Sequence, residues 1–86
     1  MQAAGISRQV TASRVVEEAG ATLVRLWGSE RAHYLHPVSF QDGTLKIRTS
    51  SASAAQELKM QSVKIQNEMN HVFGSKVVRE IVCLVV

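Results

Sequence analysis

The sequence predicts one small α+β domain in which helices pack on one face of a three-stranded sheet. Alternating apolar and polar residues on both sides of Asp42-Gly43 indicate a β-hairpin, and apolar residues three and four apart before and after it indicate amphipathic helices. The chain has 86 residues, so we expect a single domain over residues 1–86 that buries roughly 60–65% of its unfolded surface. The predicted order is helix, helix, strand, strand, helix, strand. A helix between the second and third strands permits a crossover, so the sheet is expected to be mixed.

Two helices are predicted before the hairpin. Residues 7–19 form the first, and Gly20 is placed to end it. Thr22 starts the second, in which Gly28 either weakens the helix or lets another element approach closely. One side of this second helix carries Leu23, Leu26, Trp27 and Tyr34.

The hairpin follows where Pro37 pushes His36 towards extended geometry. Val38 and Phe40 alternate with polar residues and are expected to point to the core. The Asp42-Gly43 pair favours a two-residue turn with positive φ at both positions.

The second strand then alternates between a core face and a wet face. Leu45 and Ile47 lie on the first of these, whereas Lys46 and Arg48 lie on the second. One face of the sheet is therefore predicted to be apolar and the other wet and positively charged.

After the hairpin, a capping box predicts the start of a long helix. Ser53 is the expected cap, Gln56 reaches back to it, and Gly74 ends the helix. Residues 77–86 are rich in β-branched side chains and read as a strand that is covered on both sides or lies at an interface. The predicted buried stripe of the helix consists of Ala54, Ala55, Leu58, Ser62, Ile65, Met69, Val72 and Phe73.

The composition and motifs favour a binding protein over an enzyme. No GxxxxGK[ST] or GxGxxG motif supports a nucleotide cofactor, and none of His33, His36 and His71 has the spacing of a metal site, so we predict neither a cofactor nor a metal. The single cysteine, Cys83, is expected to be a buried small hydrophobe. No segment has the pattern of a signal peptide or a membrane span, and the sequence predicts a soluble, cytoplasmic protein.

The net charge of +3 and the isoelectric point near 9.5 are compatible with a polyanionic partner. Strand alternation places Lys46 and Arg48 on one face about 7 Å apart, close to the spacing of successive phosphates. The competing interpretation is that these cations serve solubility and edge protection. Since few aromatic residues are accessible, binding would depend on backbone charge rather than base reading. The candidate nucleic-acid-binding residues are Lys46, Arg48, Lys59, Lys64, Arg25 and Arg31.

Two segments, HPVSFQDGTLKIRTSSASAAQEL and IQNEMNHVFGSKVVREI, resemble the DciA family of bacterial replicative-helicase loaders or operators. The resemblance is strongest over residues 23–81. Trp27 lies next to the glycine rather than five residues before it, Tyr34 and Leu35 replace a His-Thr pair, and Ala54 occupies the place of a tryptophan. The positions that match the family pattern are Gly28, Pro37, Asp42, Gly43, Leu45, Ser50, Ser51, Gln56, Glu57, Leu58, Asn70 and Gly74.

This resemblance implies a KH-like domain that is not an enzyme, that binds single- or double-stranded DNA weakly and without sequence specificity, and that recruits or loads the replicative helicase. The GxxG loop with which KH domains clamp nucleic acid is absent from the sequence. One alternative is a stand-alone KH-like RNA-binding module. Another is a structural domain that self-associates, because the apolar run from Ile81 to Val86 exceeds what a sheet with one wet face can hide. We therefore also predict a homodimer through the C-terminal strand.

Overall fold

The computed structural model describes residues 11–86, which form three helices and one three-stranded sheet. The predicted start of the first helix at residue 7 lies outside the described residues. The elements are α1 (Ala12–Ala32), β1 (His36–Gln41), β2 (Thr44–Thr49), α2 (Ala52–Met60), α3 (Ser62–Phe73) and β3 (Glu80–Val85). The predicted α+β class is confirmed, although the order is α-β-β-α-α-β because the helices divide differently along the chain.

The two helices predicted before the hairpin are one element, α1. The side chain of Thr11 caps it by accepting a hydrogen bond from the Arg14 amide at 3.2 Å. The prediction that Gly20 ends a helix is wrong, because the helix continues through Gly20 without a change in geometry. The break comes at Gly28, whose φ of 84° and ψ of 158° leave the helical region. Nothing lies within 4 Å of a Cβ built at Gly28, so this glycine bends the chain rather than admitting a neighbour.

The two glycines of α1 should respond to alanine in opposite directions. A Cβ at Gly20 meets nothing within 4 Å, so Gly20→Ala should stabilise the domain by about 0.5–1 kcal/mol through the higher helix propensity of alanine. Gly28→Ala forces a side chain into a backbone region that only glycine populates readily, at a cost of about 1–3 kcal/mol. Thermal melts should show a higher midpoint for the first variant and a lower one for the second. Equal shifts would contradict the bend at Gly28.

The hairpin forms as the sequence predicts. Asp42 and Gly43 have φ values of 52° and 83°, and the turn joins β1 and β2 in antiparallel pairing. β3 pairs with β2 in parallel, so the sheet is mixed and has the order β1-β2-β3. Leu45 and Ile47 are fully buried, as expected.

The first strand departs from simple alternation. The pairing register shifts between Pro37 and Ser39, where a β-bulge includes Val38. A bulge adds one residue to one strand and disturbs its alternation, which explains why Val38 is 42% exposed instead of pointing to the core. Phe40 lies beyond the bulge and packs against the core as predicted.

The helix predicted after the hairpin is two helices. Its cap is Ser51, whose hydroxyl accepts a hydrogen bond from the Ala54 amide at 3.2 Å, and not Ser53. Gln61 separates α2 from α3 with a φ of −102° and a ψ of 8°. This change of direction lets α2 pack on β3 while α3 packs on both α1 and β3. Gly74 ends α3 in the left-handed conformation, as predicted.

A single core lies between the helices and one face of the sheet. Most of the predicted stripe is buried or half-buried, whereas Val72 is 47% exposed. Within residues 11–86, no helix combines the length and the apolar character that a bilayer crossing requires. The core cluster consists of Val15, Ala19, Leu23, Ala32, Leu35, Leu45, Ile47, Leu58, Ile65, Met69 and Val78.

Candidate nucleic-acid interface

The face of the sheet that points away from the helices carries two exposed cations. Lys46 and Arg48 alternate with the buried residues of β2, so both project from this face. Two residues along a strand place them about 7 Å apart. We call this side of the sheet the open face; strand register assigns to it His36, Ser39, Gln41, Thr44, Lys46, Arg48, Glu80, Val82 and Leu84.

Cross-strand partners of the two cations are polar on one side and apolar on the other. Lys46 lies between Ser39 of β1 and Val82 of β3, and Arg48 pairs with His36 and Leu84 in the same way. Neither cation belongs to an ion pair within the described part of the chain. Among the described residues, the open face has one carboxylate, that of Glu80, which accepts a hydrogen bond from the Thr44 hydroxyl at 3.3 Å, near the hairpin turn. The two cations are therefore available to an external anion.

Arg25 and Arg31 are held differently, because both are engaged by carboxylates. Arg25 lies 4.0 Å from Glu18 and 3.8 Å from Glu68, and so bridges α1 and α3. Arg31 donates to Glu57 and so connects the end of α1 with α2. Much of the positive charge of these arginines is compensated within the protein.

Lys59 and Lys64 are exposed on α2 and α3, which pack on the opposite side of the sheet from Lys46 and Arg48. The six candidate residues therefore do not form one continuous surface. The structure brings together only Lys46 and Arg48, whereas the other four candidates lie on the helical side.

A further cation, Arg79, lies at the hairpin turn and was missed by the sequence reasoning. Its amide donates to the Gly43 carbonyl at 2.8 Å, and its Nε is 2.8 Å from where a Cβ at Gly43 would lie. Gly43 is thus favoured by its positive φ, and its lack of a Cβ leaves room for the Arg79 side chain. The only sequence signal was a charged residue just before an apolar strand.

Asn70 fixes the segment that leads from α3 into β3. Its Oδ1 accepts hydrogen bonds from the amides of Val77 and Val78 at 2.9 and 2.8 Å, and its Nδ2 donates to the Val78 carbonyl at 2.9 Å. These bonds replace secondary-structure pairing in a segment that has none. Asn70 therefore positions β3, which contributes Glu80, Val82 and Leu84 to the open face.

One cavity of about 200 Å³ on the helical side is lined by all four residues at which the sequence departs from the pattern described above. These residues are Trp27, Tyr34, Leu35 and Ala54, and the Arg31–Glu57 pair closes one side. Trp27 and Ala54 therefore lie in the wall of the same cavity.

Within residues 11–86, no group of three or more His, Cys, Asp or Glu side chains is placed to hold a metal ion. Burial raises the pKa of the Cys83 thiol, and the nearby Lys59 ammonium opposes this only in part. Cys83 therefore remains a neutral thiol near pH 7 and packs against the core.

The described residues form a small α+β domain with two exposed cations on its open face. The sequence matches the family model described as Dna[CI] antecedent, DciA, over residues 3–83. The chain therefore belongs to the DciA family, a family related to helicase loading. A comparison with curated proteins found no match.

Proposed function

We propose that this domain is a non-enzymatic adaptor that binds DNA through Lys46 and Arg48 and recruits or loads the replicative helicase. Membership of the DciA family supports the link to the helicase. The placement of two unpaired cations on the open face supports the contact with DNA.

The geometry favours contact with the phosphate backbone. Cations about 7 Å apart on a strand match the separation of neighbouring phosphates along one nucleic-acid strand. The open face carries no phenylalanine, tyrosine or tryptophan, and Phe40 is directed to the helical side. Recognition by base stacking is thus unsupported there, and two phosphate contacts imply weak binding without sequence preference.

Reversing both charges tests whether the open face, and not another part of the molecule, contacts DNA. We expect Lys46→Glu with Arg48→Glu to weaken DNA binding about 10-fold or more at low salt, because two ion pairs of roughly 0.7 kcal/mol each are lost. The salt dependence should also become shallower, by about 0.9 log units per log salt for each duplex phosphate released. Fluorescence anisotropy with labelled oligonucleotides measures both quantities.

The matched control is Lys59→Glu with Lys64→Glu, which changes the net charge equally on the helical side. This control should lose less than about 3-fold in affinity, because its cations act only through the long-range field. Both double variants should stay folded, since exposed substitutions usually change stability by less than about 0.5 kcal/mol. Equal losses in the two variants would mean that overall charge, and not the open face, governs binding.

The nature of the nucleic acid is tested with the same assay. DNA and RNA of one sequence are compared at equal salt, and we expect DNA to bind at least as tightly as RNA. A clear preference for RNA would favour an RNA-binding module and contradict the proposal.

The partner is tested with purified components. We expect the domain to co-elute in size-exclusion chromatography with the purified replicative helicase of the same organism. The Lys46→Glu, Arg48→Glu variant, used alongside, shows whether the helicase contact depends on the DNA-binding surface. Absence of co-elution at concentrations of about 100 μM, far above the dissociation constant of an ordinary specific interface, would contradict the adaptor role.

A further inference from the structure

β3 lies at the edge of the sheet. Its hydrogen bonds with β2 determine which of its backbone N–H and C=O groups point outward. The Glu80 amide donates to the Gly43 carbonyl at 3.1 Å, and the Val86 amide donates to the Thr49 carbonyl at 3.0 Å. Parallel pairing repeats every second residue, so even-numbered residues of β3 point their backbone groups at β2. The N–H and C=O groups of Ile81, Cys83 and Val85 therefore point outward. Among the described residues, no other strand pairs with this edge.

The side chains of β3 do not protect this edge. After Glu80 the strand contains only apolar residues and a thiol, without the lysine or proline that commonly blocks edge-to-edge pairing. On the open face, Leu84 is 39% exposed and lies beside a half-buried Val82. On the other side of the strand, Val85 is 57% exposed. Among the described elements, α2 and α3 pack on the helical side of β3, whereas α1 packs mainly on β1 and α3.

We propose that a second copy of this chain adds antiparallel to β3, with the two-fold axis at Cys83, to give a continuous six-stranded sheet. In this register Cys83 faces its own copy and Ile81 faces Val85 of the other. The outward N–H and C=O groups of Ile81, Cys83 and Val85 in each copy then all find partners in the other copy. This pairing gives six hydrogen bonds across the interface. Shifting the axis to Val82 would pair Val85 with Arg79, which lies outside the strand.

The position of Glu80 and the side-chain packing on the open face favour the same arrangement. Antiparallel pairing about Cys83 separates the two Glu80 carboxylates by about 20 Å, whereas parallel pairing would place like charges side by side. On the open face it sets Val82 of each copy opposite Leu84 of the other, at a non-hydrogen-bonded position where side chains approach closely. The exposed apolar surface of both strands is covered together.

The size of this interface sets the expected affinity. Interfaces carry about one hydrogen bond per 100–200 Å², so six bonds correspond to about 600–1,200 Å² of buried surface. This area lies at the low end of specific complexes, so we expect a dissociation constant in the micromolar range.

Dimerisation would also place both basic faces on one surface. Three strand spacings separate β2 from its copy, so the two Lys46–Arg48 pairs lie about 14 Å apart on the same side of the sheet. The dimer would thus bind a nucleic acid bivalently. Its existence does not depend on DNA binding, so the two are tested separately.

Residue-resolved hydrogen exchange of the unmodified chain tests the interface and its register together. Between about 10 and about 500 μM, exchange of the Ile81, Cys83 and Val85 amides should slow at least about 5-fold, because their N–H groups become bonded only in the dimer. The Val82 and Leu84 amides, which are bonded to β2 at all concentrations, should not change. Exchange that is independent of concentration at all five amides, or slowing confined to other segments, would overturn the proposal.

Val85→Pro removes one outward N–H and spares the ladder to β2, a position at which edge strands tolerate proline. We expect this variant to sediment as a folded monomer at about 300 μM, where the parent is dimeric. Val85→Ala keeps the amide and should dimerise within about 10-fold of the parent affinity. A monomeric parent, a dimeric Val85→Pro variant or a fully monomeric Val85→Ala variant would each contradict the interface. If the proline variant fails to fold, the concentration dependence of hydrogen exchange in the parent still tests whether β3 forms the interface.

Discussion

Leu58→Ala should lower the free energy of unfolding by about 2–5 kcal/mol. Leu58 is fully buried and belongs to the cluster that joins α2 to the sheet. Removing its side chain loses apolar burial and leaves a cavity, because a small close-packed core relaxes only partly. A domain of this size has a total stability of only about 4–13 kcal/mol, so the variant should melt more than about 10 °C lower.

Met60→Ala is the matched control on the same helix. Met60 is 75% exposed, so its truncation should change stability by less than about 0.5 kcal/mol. Chemical denaturation of both variants measures the difference directly. Similar midpoints for Leu58→Ala and Met60→Ala would mean that the buried side of α2 is assigned incorrectly.

Asn70→Ala should lower the free energy of unfolding by about 2–4 kcal/mol. Its amide group makes three hydrogen bonds to the backbone of residues 77 and 78. Each such bond contributes about 1 kcal/mol, and partly buried backbone groups left without a partner add a desolvation cost. The loss should spread to β3, because this segment determines where β3 begins.

Asn67→Ala provides the comparison, since Asn67 is exposed on the same helix. It should be close to neutral, within about 0.5 kcal/mol. Native-state hydrogen exchange adds a local readout: amides of β3 should lose protection in Asn70→Ala more than amides of α1. Full retention of β3 protection in Asn70→Ala would show that β2 alone positions the strand.

The hairpin and the class of the fold could be predicted because their signals are local. A two-residue turn at Asp42-Gly43 and strict alternation in β2 determine the buried and exposed sides without reference to the rest of the chain. The bulge at Val38 could not be predicted in this way, because it depends on how β1 fits against β2. The break at Gln61 could not be predicted either, because no glycine or proline marks it in the sequence. It follows from the packing of α2 and α3 against different elements.

The predictions of helix boundaries were wrong where one residue type is compatible with both the interior and the end of a helix. Gly20 and Gly28 look alike in the sequence, yet one continues the helix and the other bends it. Likewise, Ser51 and Ser53 are both good caps, and only the position of the preceding strand end selects Ser51.

The positions of two of the six candidate cations could be predicted from the sequence, whereas the surroundings of the others could not. Alternation alone puts Lys46 and Arg48 on one wet face, and the structure places them there. The pairing of Arg25 with Glu68 and of Arg31 with Glu57 joins residues far apart in the chain, which no spacing rule reveals. The roles of Asn70 and Arg79 likewise depend on contacts made only after folding.

A DNA titration followed through the backbone amide resonances locates the DNA contact without altering the protein. With a short single-stranded oligonucleotide at low salt, we expect the largest shift changes at Lys46, Arg48 and the neighbouring Ser39, with little change along α2 and α3. The changes should diminish as salt is added. Shift changes concentrated around Lys59 and Lys64, with β2 unaffected, would contradict the assignment of the open face as the DNA-binding surface.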